Sequence, residues 1–246
     1  KPLFVIFPLW LLILFQPDLG TSLVFGAVLI SMLYWAGMPV EWVLLSLSAI
    51  FTAVLAGLFP LALFLWIPLM AFLAFRSFKQ RKLAALITIF TQSVIAFITP
   101  WLWLNGLKDY QRDRLTLFLD PSKDPLGGGY HLLQSTVGIG SGGLFGTGLH
   151  QGQLTKLRFI PEQHTDFIFS ALGEETGFLG TIIVITGFFF LLARLLNVAR
   201  EARTDFESLV VIGVLAMLFF QVMVNISMTI GLGPVTGIPL PFMSYG

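Results

Sequence analysis

The chain has 246 residues, of which 56% are hydrophobic and only 11% charged, with 25 phenylalanines and a net charge of +1. So much apolar surface exceeds what a soluble domain of this size can bury, and it marks an integral membrane protein. Cysteine is absent, which excludes disulfides and thiolate metal sites, and no basic stripe points to nucleic acid.

A helix needs about 20 residues to cross the hydrocarbon. In chain order the candidate spans are 2–15, 20–36, 40–57, 59–75, 83–104, 165–196 and 206–232. The first is short and is expected to lengthen upstream, because the sequence opens on Lys1 rather than Met. It is no secretory signal, since no small-residue cleavage site follows it. A continuation is also expected beyond Gly246, which falls within a loop. Gln16-Pro17-Asp18, Gly37-Met38-Pro39 and Phe59-Pro60 supply breaks between spans. The expected fold is all-α: a single polytopic membrane helix bundle with one long structured outer loop, 105–164.

Basic residues orient the spans. With Lys1 inside and the spans alternating, Arg76, Lys79, Arg81, Lys82, Arg194, Arg200 and Arg203 also fall inside, in short loops. The remaining six (Lys108, Arg112, Arg114, Lys123, Lys156 and Arg158) share the long outer loop with acids, and long loops are exempt from the charge rule. Three segments then meet on the outer face: 16–19, the long loop up to Asp166, and 239–246.

The long loop is not disordered in composition. Leu115–Leu119 and Tyr130–Ile139 are expected as short amphipathic helices at the membrane surface. Asp120-Pro121 and Asp124-Pro125 start turns, and Gly127–Gly129 reads as a hinge. Gly138-Ile139-Gly140-Ser141-Gly142-Gly143 has the form GxGxxG, but no strand precedes it, so a dinucleotide site is not expected. Its glycines form either a flexible turn or a backbone nest approaching an anion. The sequon Asn225-Ile226-Ser227 lies inside a span and is discarded.

Glu162, His164 and Asp166 place three ionisable groups within five residues at the threshold of the sixth span. Charge at such a boundary is costly and usually functional. Thr165 is expected to cap the helix, with Asp166 in its first turn, where the dipole favours a carboxylate. At about 100° per residue, Asp166, Ser170 and Gly173 share a face, with Glu174 the nearer second carboxylate. The plain alternative is that Glu162 and Asp166 only cap the helix and pair with Lys156 or Arg158. Glu162, His164 and Asp166 could instead hold Mg²⁺ or Mn²⁺ through oxygen and imidazole donors. Asp18 is either a turn residue, the preferred reading, or a polar wall of the same site. Arg112 and Arg114 are either headgroup anchors or bidentate phosphate ligands.

Several motifs, in this order, resemble one family. They include Gln16-Pro17-Asp18-Leu19-Gly20-Thr21-Ser22, Tyr110-Gln111-Arg112-Asp113-Arg114, Phe118-Leu119-Asp120-Pro121 and Ile139-Gly140-Ser141-Gly142-Gly143-Leu144. Pro161-Glu162-Gln163-His164-Thr165-Asp166-Phe167, Glu174-Glu175-Thr176-Gly177 and Pro239-Leu240-Pro241-Phe242-Met243-Ser244-Tyr245-Gly246 complete the set. Together they resemble the SEDS family (shape, elongation, division and sporulation), with the elongation branch nearer than the division branch. Gly152-Gln153-Leu154-Thr155 departs from the family's usual Gly-Thr-Gln-Ser, and 40–75 reads as an added hairpin.

The resemblance implies a peptidoglycan glycosyltransferase of the bacterial cytoplasmic membrane that polymerises lipid II at the outer face. It further implies a divalent cation (Mg²⁺ or Mn²⁺), a class B penicillin-binding protein as partner, and Asp166 as the essential carboxylate. On that reading Asp166 is the base or the cation's ligand, Arg112, Arg114, Lys156 and Arg158 clamp the diphosphate, and Glu174 supports them. Two other classes compete: a transporter of the lipid-linked precursor, and a membrane scaffold for cell-wall synthesis. A transporter would favour polar groups at the bilayer midplane, where Gln92 and Asn225 are the notable ones. A scaffold needs no outer carboxylate.

Overall fold

Long runs of Leu, Ile, Phe, Val and Ala satisfy their backbone within one helix, the arrangement hydrocarbon demands of a single segment. The computed structural model describes Trp10 and residues 12–13, 19–106, 109–124, 128–157, 159–160 and 162–245. Among the described residues there are α-helices and no strand: α1 (Leu19–Trp35), α2 (Val40–Leu58), α3 (Leu63–Ser77), α4 (Arg81–Asn105), α5 (Asp109–Leu119), α6 (Gly128–Ser141), α7 (Gln153–Lys156), α8 (Ile168–Glu201) and α9 (Asp205–Thr229). Five segments are long and apolar enough to cross a membrane: Val40–Leu58, Pro60–Ser77, Arg81–Asn105, Ile168–Glu201 and Asp205–Thr229. The chain is a multi-pass membrane protein built as an all-α bundle. The expected span 2–15 lies almost wholly outside the described residues.

The chain divides into two units, residues 1–32 with 113–246, and residues 33–112. In the second unit α2, α3 and α4 pack against one another. Ser48 and Thr52 of α2 and Thr88 and Gln92 of α4 are buried there. Gln92 Nε2 donates to Ser48 Oγ at 2.8 Å, and Trp66 Nε1 donates to Thr52 Oγ1 at 3.0 Å. Such bonds tie helices together where no hydrophobic force separates protein from lipid.

In the first unit α8 and α9, joined through 202–204, run antiparallel, and α6 lies against both. Phe169, Phe188, Val222 and Leu240 form the buried centre, flanked by Ile139, Leu172 and Ile226. Two buried hydroxyls extend the packing. Ser170 Oγ donates to the Ser135 carbonyl at 2.7 Å, and Ser135 Oγ donates to the Thr229 carbonyl at 2.7 Å. They fix α6 to the start of α8 and the end of α9.

Helix α8 breaks at Gly177 (φ 67°, ψ −165°), a conformation open to glycine. The glycine segment after α6 fills the break. Gly143 and Leu144 carbonyls accept from Phe178 N (2.9 Å) and Leu179 N (3.1 Å), while Thr147 N and Gly148 N each donate at 3.0 Å to the Glu174 and Glu175 carbonyls. Both exposed helix ends are thereby capped. The approach is so close that a Cβ on Gly142 would lie 2.0 Å from the Gly173 carbonyl oxygen. The GxGxxG run is therefore not a flexible turn: residues 138–141 are helical, and the amides of Gly142, Gly146, Thr147 and Gly148 are spent on carbonyls.

The other loop expectations are mixed. Both short helices form, as α5 and α6. The proposed hinge does not survive at Gly129, the second residue of α6, whose N–H donates to the Asp124 carbonyl at 3.0 Å. There a Cβ would sit 2.2 Å from the Pro121 carbonyl oxygen, so glycine serves close packing rather than bending. Pro125 and Gly127 lie outside the described residues.

Candidate active site

Helix α8 starts at Ile168, with Phe167 in the cap position and no side-chain cap bond. Thr165 is thus not its N-cap, and Asp166 stands before the first turn rather than in it. Residues 162–167 instead form consecutive turns. The Glu162 carbonyl accepts from Thr165 N at 3.1 Å and Phe167 N at 3.2 Å, and Glu162 itself has a left-handed φ of 48°. Non-glycine residues seldom occupy that region, and such outliers gather at functional sites.

The turn is clasped by the segment after α9. Tyr245 N donates to the His164 carbonyl at 2.8 Å, and Ser244 Oγ donates to the Thr165 carbonyl at 2.6 Å. Asn225, fully buried in the last part of α9, donates through Nδ2 to the carbonyls of Asp166 and Ile238, both at 2.8 Å. One amide therefore binds the Asp166 backbone to the closing loop. Asn225 sits one turn from the helix end at Thr229, so it is not the midplane residue the sequence suggested. Gly237 (φ 75°) lies beside the carboxylate, where a Cβ would come within 3.4 Å of Asp166 Oδ2.

Asp166 is half-buried, and burial raises its pKa above the ordinary carboxylate value, helped by the Glu162 carboxylate. Arg114 and His131 oppose that shift with positive charge. Arg114 comes from α5 and also donates to the Thr236 carbonyl at 3.1 Å. His131 comes from α6 and stacks on Phe167, ring centroids 6.0 Å apart at 28°. The site is thus a carboxylate with a second carboxylate, a guanidinium and an imidazole around it, framed by α5, α6, the 162–167 turn and the closing loop.

The other expected residues lie differently. Glu174 does not face Asp166: its carboxylate accepts from Leu154 N and Thr155 N, both at 2.8 Å, and from the Thr155 hydroxyl. It is buried and anchors the start of α7, an approach that only Gly152 permits, since a Cβ there would lie 2.7 Å from Glu174 Cδ. Eight residues of α8 and its lead-in separate it from Asp166, about 12 Å along a helix. Lys156 is exposed at the end of α7 and, among the described residues, pairs with neither Glu162 nor Asp166. Arg112 belongs to the other unit, where its guanidinium pairs with Asp109. His164 is exposed, its ring beside Gln163 Nε2 at 3.4 Å. Asp18 and Arg158 lie outside the described residues.

Among the described residues no group of three His, Asp or Glu side chains is arranged to hold a metal ion. The triad Glu162, His164 and Asp166 therefore does not assemble. Asp166 and Glu162 remain as hard oxygen donors, with the Glu162 carboxylate near enough to raise the pKa of Asp166. Two carboxylates suit a hydrated Mg²⁺ or Mn²⁺ rather than an all-protein cage.

His131 and Asn225 were not singled out as site residues from the sequence. Nothing in the spacing around His131 distinguishes it. Asn225 did carry a signal, as a lone amide in an otherwise apolar span.

Comparison with known proteins adds the lineage. Peptidoglycan glycosyltransferase MrdB of Escherichia coli (strain K12) is 39% identical over 244 residues, covering 99% of this chain and 54% of that protein. Peptidoglycan glycosyltransferase RodA of Treponema pallidum (strain Nichols) is 36% identical, covering 96% and 60% respectively. Stage V sporulation protein E of Bacillus subtilis (strain 168) is 35% identical, covering 98% and 53%. The chain spans roughly half the length of these curated relatives. The FtsW/RodA/SpoVE profile, described as a cell cycle protein, matches residues 61–246, and the chain belongs to that family.

Proposed function

We propose that this chain is the core of a peptidoglycan glycosyltransferase that polymerises lipid II at the outer face of the bacterial cytoplasmic membrane during cell elongation. The observation that carries the reading is the half-buried Asp166 carboxylate, its proton affinity raised by burial, with the Arg114 guanidinium and the His131 imidazole within electrostatic reach. Relatives that match almost the whole chain bear the name peptidoglycan glycosyltransferase.

Polymerisation joins a sugar hydroxyl to the anomeric carbon of a lipid-linked sugar. The new C–O bond forms as the bond to the polyprenyl diphosphate breaks, with inversion at that carbon. The hydroxyl proton passes to Asp166, whose raised pKa makes it a better base than a solvated aspartate. Arg114 meets the negative charge that develops on the departing diphosphate. His131, held by its stack on Phe167, adds a second donor on that side when protonated. As the alternative to the base role, Asp166 with Glu162 would hold a Mg²⁺ or Mn²⁺, which would supply positive charge for the leaving group. The apolar helix faces accommodate the polyprenyl chain. A class B penicillin-binding protein is the expected partner, supplying transpeptidation to the strands made here.

The test uses full-length protein with that partner, labelled lipid II and Mg²⁺ or Mn²⁺, with products resolved as a glycan ladder. Wild type yields a ladder and Asp166→Ala yields none. A ladder of equal intensity from Asp166→Ala removes the carboxylate from the mechanism. Transport of a lipid-linked precursor is less well supported, because Asn225 lies near a helix end and its amide is engaged with backbone carbonyls.

A further inference from the structure

The break in α8 fixes a depth for the loop that fills it. From Thr176 to Ala193 the helix carries no charged residue for 18 positions, bounded by Glu174 and Glu175 at one end and Arg194 at the other. That stretch is about 27 Å long, close to the hydrocarbon thickness of about 30 Å. Gly177 and its neighbours Phe178 and Leu179 therefore mark the edge of the hydrocarbon on the side of Asp166. The Gly143 and Leu144 carbonyls bond to the amides of those two residues, so the loop's apex lies level with them.

Two further observations agree with that depth. Leu144, Phe145 and Leu149 are 63%, 79% and 70% exposed, and Phe178 and Leu179 beside them are also exposed. The loop is tied by its backbone to the break in α8: Gly143 O and Leu144 O accept from Phe178 N and Leu179 N, and Thr147 N and Gly148 N donate to the Glu174 and Glu175 carbonyls. Exposed apolar side chains held level with the end of the charge-free stretch of α8 suit the acyl boundary better than water.

We infer that residues 143–149 dip into the leaflet on the side of Asp166, with Leu144, Phe145 and Leu149 seated among its acyl chains. Asp166, eight residues before Glu174, then stands in the headgroup layer above that edge. The loop acts as a depth gauge: through the Glu174 clasp and α6 it couples the position of the acyl surface to the elements that carry His131 and Phe167. The inference depends on the membrane topology and not on the proposed reaction.

The test places a spin label by a single cysteine at Phe145→Cys or Leu149→Cys in full-length protein free of other cysteines, in phosphatidylcholine vesicles. Phe189→Cys, exposed in mid-span, and Lys123→Cys, exposed on the polar loop, serve as lipid and water references. Power saturation compares collisions with oxygen and with a water-soluble nickel chelate. At 145 and 149 oxygen is expected to outweigh the chelate severalfold, as at 189, with the order reversed at 123. Labels that follow the pattern of Lys123 would place the loop in water and overturn the inference. Labels immobilised and shielded from both reagents would show that protein covers the loop, and would overturn it equally.

Discussion

The consequence of removing Asn225 can be worked from its partners. Asn225→Ala deletes two hydrogen bonds to buried carbonyls, at Asp166 and Ile238. Each carbonyl left without a partner costs about 1–3 kcal/mol. The side chain's own Oδ1 is buried without a partner among the described residues, so its removal returns a similar amount. The net loss is then about 1–3 kcal/mol, enough to lower the midpoint of thermal unfolding measurably. Asn225→Asp keeps the shape but turns a double donor into a carboxylate facing two carbonyl oxygens, and it should be worse than alanine. The larger effect falls on the reaction. A reacting group displaced by about 1 Å can lose about a hundredfold in rate, so polymerisation should fall steeply while lipid II binding changes little. The assays are thermal unfolding, lipid II binding and ladder formation on the same full-length preparations. Asn225→Asp with wild-type stability and wild-type rate would refute the reasoning.

Other consequences follow from the same geometry. The acid limb of the polymerisation pH profile should lie above the ordinary carboxylate range, because burial and Glu162 raise the pKa of Asp166. Glu162→Gln should move that limb to lower pH and Arg114→Gln to higher pH, and a profile indifferent to both would contradict the assignment. A carboxyl group raised in the fold contributes stability that is full below its unfolded value near 3.8 and is lost as pH rises through the folded value. Asp166→Asn should therefore be at least as stable as wild type at neutral pH, with the advantage vanishing in acid, as read by unfolding midpoints across pH. Gly146→Ala should be severely destabilised, by about 3 kcal/mol or more, since a Cβ would lie 2.1 Å from the Glu175 carbonyl oxygen at a φ of 81°. Glu174→Gln should cost about 1–3 kcal/mol by presenting an N–H₂ to the Leu154 or Thr155 amide. Proteolysis between 149 and 157 should then be faster, and unchanged cleavage would argue that the clasp is unimportant.

The spans were legible because apolar run length is a direct physical requirement of the bilayer. The runs 40–57, 83–104 and 206–232 became helices within two or three residues of their expected bounds. The start of α8 was misread for a local reason. Thr165 is a good capping residue, but its hydroxyl is directed at Glu162, and the turn is held by Ser244 and Tyr245 from the far end of the sequence. The same limit explains Glu174. Helical spacing put it near the face of Asp166, while its partners at Leu154 and Thr155 lie on a loop whose approach periodicity cannot reveal. The glycines of 138–148 were visible as a pattern, yet their purpose needed the break at Gly177, a long-range fit of one backbone into another. His131 reaches the site only because α6 is pinned by Ser135 and Ser170, which again is tertiary information.

The most direct measurement of the central claim is lipid II polymerisation by full-length protein bearing Asp166→Ala, with its transpeptidase partner and Mg²⁺ or Mn²⁺ present. The account predicts a glycan ladder from wild type and none from the variant, with the variant folded and still binding lipid II. A ladder of wild-type intensity from the variant, or none from a folded wild type with a competent partner, would contradict it.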